Sequence, residues 1–183
     1  MIAMVLGNTR GQNDRAAVEK SADDLVSFFR QARQYSLAVR QLGSQYPSYG
    51  VYMAKDGTTA IMYADCVPDD NVSHTITEAD TFRYLSSGAS NCTGSGGGST
   101  ITETLNLQTR TKISKITTTS VGAASPTERA DLSVLFIRPE PTIWLSYSGG
   151  YIRPGSMSIE LTNNAGTEAV TVTINSAGFV RVN

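Results

Sequence analysis

The groups with the most chemistry to offer are two cysteines, one histidine and a short acidic segment. Cys66 and Cys92 could close one disulfide around the most irregular part of the chain, or stay as two buried free thiols. Pairing needs an oxidising compartment. Neither belongs to a CxxC pair, and His74 is the only histidine, so a zinc site of the usual kind lacks its ligands. Asp65, Asp69, Asp70 and Asn71 could present oxygens to Ca²⁺, but their spacing matches no EF-hand loop and suits a solvated acidic turn. The glycine-rich run TGSGGGST (93–100) has no Lys before its Ser/Thr and leads into a strand pattern. That makes it a surface loop rather than a phosphate cradle. His74 has no positioned nucleophile beside it, and Glu140, between Pro139 and Pro141, has no carboxylate partner. Trp144, Tyr147 and Tyr151, beside Gly149-Gly150, could form a binding surface or fill a core. These residues describe a protein that is not an enzyme and needs no cofactor or metal.

The elements that position these groups begin with a helix over 13–42. Val18, Ala22, Leu25, Phe29, Ala32, Ser36 and Val39 recur at alternating steps of four and three, which places them on one helical stripe. Phe28, Tyr35 and Leu42 widen the stripe on one side and Val26 on the other, while Glu19, Lys20, Asp23, Arg30, Gln31, Gln34 and Gln41 lie opposite. Asn13 reads as the N-cap and Gly43 as the C-terminal stop, giving a length of about 45 Å at 1.5 Å per residue. Gly7 and Gly11 disfavour a helix interior before it.

From Tyr49 the period changes to that of strands. Asp56-Gly57 separates two β-prone runs, 49–55 and 58–65, as a hairpin turn does. Further strands are expected at 76–85, 101–107, 112–119, 131–138, 143–147, 157–163, 169–175 and 179–182. In 112–119, Lys115 interrupts Ile113 and Ile116, which signals an edge strand or a bulge. Asn163-Asn164-Ala165-Gly166 and Asn175-Ser176-Ala177-Gly178 read as turns that make the last three strands an antiparallel meander. One helix followed only by strands is an α+β layout, a long N-terminal helix packed on antiparallel sheet.

Fifteen basic and sixteen acidic residues leave a net charge of −1, so nothing pulls the whole chain toward nucleic acid or acidic lipid. The opening MIAMVLGN is apolar only through Leu6, far short of the roughly 20 residues a membrane crossing needs, and it lacks the basic start of a signal peptide.

Three stretches resemble a known family. AAVEKSADDLVSFFRQARQYSLAVRQ (16–41) is similar to its helix, SYGVYMAKDGTTAIMYAD (48–65) to its first hairpin, and VLFIRPEPTI (134–143) with VTVTINSAGFVRV (170–182) to its later strands. The family is the GspH/FimT group, minor pseudopilins of type II secretion and minor pilins of type IV pili, with the type IV pilin fold. Such proteins begin with a cleaved leader and an apolar helical half. The resemblance therefore implies that residues 1–12 are the remnant of a longer apolar helix and that 13–183 form the globular head. Residues 86–130, which match nothing in the family, would be an insertion. It also implies a structural subunit anchored in the bacterial inner membrane, with its head in the periplasm or in an extracellular filament. Its partners would be other pilin or pseudopilin subunits, and Val18, Ala22, Leu25, Phe29, Ala32 and Val39 would serve helix packing and assembly.

Two alternatives accompany that reading. Some members resembling FimT bind DNA through a basic C-terminal GRxR tail. The matching residues here are Gly178, Phe179, Val180 and Arg181, so only Arg181 remains, with Arg153 as a neighbour. One or two cations give little counterion release, so DNA is the weaker partner. An adhesin-like tip module would use the loops and the aromatics of 144–151.

Overall fold

A computed structural model of the chain describes residues 2–42, 47–65, 99–120, 123, 125–137, 142–148, 150–152 and 154–183. Its first element, α1 (Ile2–Leu37), is one helix of 36 residues, about 54 Å long. It differs from the sequence expectation at both ends. Asn13 lies inside the helix rather than capping it, and Gly7 and Gly11 are interior positions. Each glycine costs about 1 kcal/mol relative to Ala. Propagation through them is possible because the helix is already nucleated and packed further along.

The C-terminal stop comes before Leu42. Val39 adopts φ 52, its N–H donates to Ser36 O at 3.3 Å, and the Arg40 N–H donates to Tyr35 O at 3.2 Å. That is the paired bonding of a Schellman motif, with valine at the left-handed position usually held by glycine. Packing beyond the turn explains the early stop. The Arg40 guanidinium lies 4.1 Å from the Tyr35 ring centroid, the Tyr49 hydroxyl donates to Arg40 O, and Leu42 packs with Tyr35 against Tyr49 and Ala64. Gly43 lies outside the described residues.

Eleven strands follow among the described residues. β1 (Ser48–Ala54), β2 (Thr59–Asp65), β3 (Ser99–Asn106), β6 (Asp131–Ile137), β7 (Thr142–Tyr147) and β8 (Gly150–Ile152) form one sheet, in the order β3-β2-β1-β6-β7-β8. β4 (Thr111–Ser120), β5 (Thr127–Arg129), β9 (Pro154–Asn163), β10 (Ala169–Ile174) and β11 (Val180–Val182) form the other, in the order β11-β10-β9-β4-β5. Every pairing is antiparallel. The protein is α+β, one N-terminal helix on two antiparallel sheets. The expected strand at 76–85 lies outside the described residues.

The chain changes sheets after β3, returns for β6 and changes again for β9. The described strands of 86–130 are built into both sheets. β3 and β4 are full members of the two sheets, and β4 sits between β9 and β5 rather than at an edge. The β1–β2 hairpin turn joins the sheets. The Asp56 N–H donates to Ile113 O at 2.7 Å and the Ile113 N–H to Gly57 O at 2.9 Å. The interruption of β4 at Lys115 is resolved by a bulge. Its register on β9 shifts between Ile113 and Lys115, and the Ser114 hydroxyl donates to Glu160 O at 3.1 Å. One extra residue restores the facing, so Ile113 and Ile116 both point inward and are fully buried.

Helix and sheets share one core. Val18, Ala22, Leu25, Phe29 and Ala32 are each 0% exposed and pack with Val51, Met62, Val134 and Ile143 of the first sheet and with Ile116, Ile159, Leu161 and Val172 of the second. Polar pins fix the helix lengthwise. Ser21 Oγ accepts the Gln108 N–H at 3.0 Å, and the Ser36 hydroxyl donates to Phe136 O. On the far face of the first sheet, Tyr63, Leu135 and Trp144 make a second cluster with Tyr52.

Candidate assembly surface

The residues proposed from the helical stripe do not form a surface. Val18, Ala22, Leu25, Phe29 and Ala32 are sealed inside this chain's own core, so they hold the helix to the head and are not available to a neighbour. Val39 is corrected in the opposite sense: it is 46% exposed and lies beyond the helix, in the turn that ends it. Arg181 is exposed, and its Nε donates to Thr173 Oγ1 at 3.1 Å across the β10–β11 pair. Arg153, Cys66, Cys92 and His74 lie outside the described residues, as does 93–98 of the glycine-rich run. Trp144 is 8% exposed and belongs to the cluster behind the first sheet, while Tyr147 is half-buried beneath Arg129, whose guanidinium carbon is 3.9 Å from the ring centroid. These two aromatics pack inward rather than forming an open platform. Among the described residues no group of three or more His, Cys, Asp or Glu side chains is placed to hold a metal ion.

The helix leaves a different face open. Arg15, Glu19, Asp23, Arg30, Arg33 and Leu37 follow one another at steps of four, four, seven, three and four, so they share one side of α1. The β10–β11 hairpin lies alongside that face. Its open end, Ala169–Val170 and Val182–Asn183, meets the helix near Arg15–Asp23, and its turn end brings Phe179 to Arg33.

At the first end the helix and hairpin enclose a cleft of about 480 Å³. Val18, Val170 and Val182 supply its apolar wall; Glu19, Asp23 and Glu168 carry its acid. Arg15 donates from Nε to Glu19 at 2.8 Å, and that hydrogen bond, with the Glu19 and Glu168 charges, holds its guanidinium above the ordinary arginine value. Asp23 and Glu168 take no ion pair among the described residues.

At the other end the Arg33 guanidinium carbon stands 4.9 Å from the Phe179 ring centroid. Phe179 is 61% exposed and Leu37 is 45% exposed. Neither Arg30 nor Arg33 takes an ion pair among the described residues. Phe179 was missed as a surface residue by sequence reasoning, which placed it in the last strand. The available signal was its position directly after the turn glycine and before the inward Val180.

Comparison with known proteins found no family model, no curated protein and no solved structure that matches this chain.

Proposed function

We propose that this chain is a structural subunit of a filament, a minor subunit of a type IV pilus or of a type II secretion pseudopilus, with the type IV pilin fold and no catalytic role. The observation that carries the reading is the reach of α1. Within α1 (Ile2–Leu37), no residue from Gly11 to Ala17 is buried, and the buried stripe runs from Val18 to Ser36. About 10 Å of unburied helix, residues 11–17, thus precedes the buried stripe. A helix that is core from Val18 onward and unburied over 11–17 can anchor a head while offering that exposed stretch to neighbouring helices. No described helix is long and apolar enough to cross a membrane. On this reading an apolar segment encoded upstream continues α1 into the inner membrane, and the head stands in the periplasm or the extracellular filament.

The DNA-capture alternative would rest on Arg181 and Arg153; it has one described cation, already hydrogen-bonded to Thr173, and draws no support from the geometry.

The test is expression from the native upstream codons with single cysteines at Gln12 or Ala16, Cys66 and Cys92 being replaced by serine. Membrane association, with crosslinks from these positions to other filament subunits, is the expected result. A protein found wholly in the soluble fraction, with no such crosslink, would overturn the proposal.

A further inference from the structure

We infer that the open face of α1 and the β10–β11 hairpin is a head-to-tail contact between copies of this chain, the acidic cleft of one copy receiving the Arg30–Arg33–Phe179 end of the next. The inference goes beyond the filament reading, which does not itself require contacts between copies of this chain.

Charge complementarity carries it. The cleft end bears three carboxylates, Glu19, Asp23 and Glu168, against one guanidinium, Arg15. The far end bears Arg30 and Arg33, and the helix has no acidic residue from Arg30 to Leu37. Opposite charges therefore sit at the two ends of one continuous face rather than being mixed along it. The chemistry of the two ends fits beyond sign. An arginine side chain has an apolar stem and a charged head, and the cleft has valine walls with carboxylates at its rim. Arg33 is already held by the Phe179 ring, and its Nε is withdrawn from solvent with no hydrogen-bond partner. Its orientation is thus fixed before any contact, which lowers the ordering cost of binding. Exposed Phe179 and Leu37 add apolar surface next to the arginines.

The ends cannot meet within one copy, because Asp23 and Arg33 are about 15 Å apart along the same helix. A second copy turned to face the first and displaced along the axis by roughly that distance brings unlike ends together. Such a contact uses two different patches, so it is heterologous and repeats without closing unless a rotation closes it.

Sedimentation velocity of the chain as it stands, at low and high salt, is the first arm. Concentration-dependent association at low salt that weakens at high salt is expected. In the second arm, Asp23→Lys with Glu168→Lys makes both ends positive, and Arg30→Glu with Arg33→Glu makes both ends negative. Each double variant alone should associate about tenfold more weakly or worse, and an equimolar mixture of the two should recover association. Recovery on mixing is a result that misfolding cannot imitate. A parent chain that stays monomeric at low salt, or a mixture that fails to recover, overturns the contact. Either failure leaves the filament proposal to be judged by crosslinking from Gln12 and Ala16, neither of which lines the cleft.

Discussion

The ring of Tyr63 lies directly across Gly50 of the neighbouring strand: a Cβ built at position 50 would stand 2.6 Å from Tyr63 Cζ and Oη. The two residues are register partners in the β1–β2 pair, and Tyr63 is fully buried among Leu135 and Trp144. The ring therefore has no free direction in which to withdraw. Gly50→Ala should destabilise the protein by about 1–3 kcal/mol, the usual cost of overpacking. Urea unfolding monitored by Trp144 fluorescence checks it. An unchanged midpoint would mean that the ring is not held where it is seen.

Val39 offers the opposite experiment. A β-branched residue at φ 52 carries left-handed strain of about 1–2 kcal/mol, and its exposed side chain has little packing to lose. Val39→Gly removes that strain at a smaller cost in chain entropy. The variant should gain up to about 1 kcal/mol, seen as a rise of about 2–4 °C in Tm. A fall in Tm would show that the Schellman turn is held by something other than its backbone.

The same turn shows where sequence reading reached and where it stopped. The stripe from Val18 to Ser36 was legible because the 3.6 period is a local property, and the structure buries every member. The end of the helix was not, because Val39 is a poor residue for a stop. What ends α1 is the packing of Arg40 and Leu42 against Tyr35 and Tyr49. The bulge in β4 was one of two readings offered by Lys115 between Ile113 and Ile116, the other being an edge strand. Which sheet each strand joins could not be read, since alternation says nothing about the partner. The open face was half legible: Arg15, Glu19, Asp23 and Arg30 follow helical spacing. Its pairing with Phe179 depends on where a distant hairpin lands.

Helix packing itself is tested by two leucines on one element. Leu25 is 0% exposed and touches both sheets' core, whereas Leu37 is 45% exposed on the open face. Leu25→Ala should cost about 2–5 kcal/mol. Leu37→Ala should lie within about 0.5 kcal/mol of the parent. Equal costs for the two would contradict the placement of the helix.

Alkaline pH should report on Tyr63. Burial, helped by the Asp65 charge and opposed by a hydrogen bond with Ser133, pushes its phenol well above the ordinary tyrosine value. The folded state then keeps a proton that the unfolded chain gives up. The stability this contributes is fully present below the unfolded pKa of about 10 and is lost as pH rises above it, by up to about 1.4 kcal/mol per pH unit. Tyr63→Phe should start from its own baseline and decline less steeply between pH values of about 10 and 12. Parallel slopes for parent and variant would show that Tyr63 titrates normally.

Two turns of the same design separate backbone strain from contact. Gly166 (φ 70) and Gly178 (φ 73) each follow an Asn by three residues and donate an N–H to its carbonyl, at 3.0 Å and 2.9 Å. In both turns the Asn Oδ1 accepts main-chain N–H groups further on. A Cβ at 166 meets nothing within 4 Å, while one at 178 meets Ile143 Cγ2 and Phe136 Cε1, each at 3.2 Å. Gly166→Ala should therefore lose only the left-handed penalty, about 1–2 kcal/mol. Gly178→Ala should lose that and more, because Phe136 and Ile143 are core residues that cannot yield freely. The gap between the two variants measures how tightly the β10–β11 turn is seated on the first sheet. Gly178→Ala should also displace Phe179 from Arg33, so its association at low salt should weaken while that of Gly166→Ala stays at the parent level. Equal stability and equal association for the two would mean that the turn does not rest on Phe136 and Ile143.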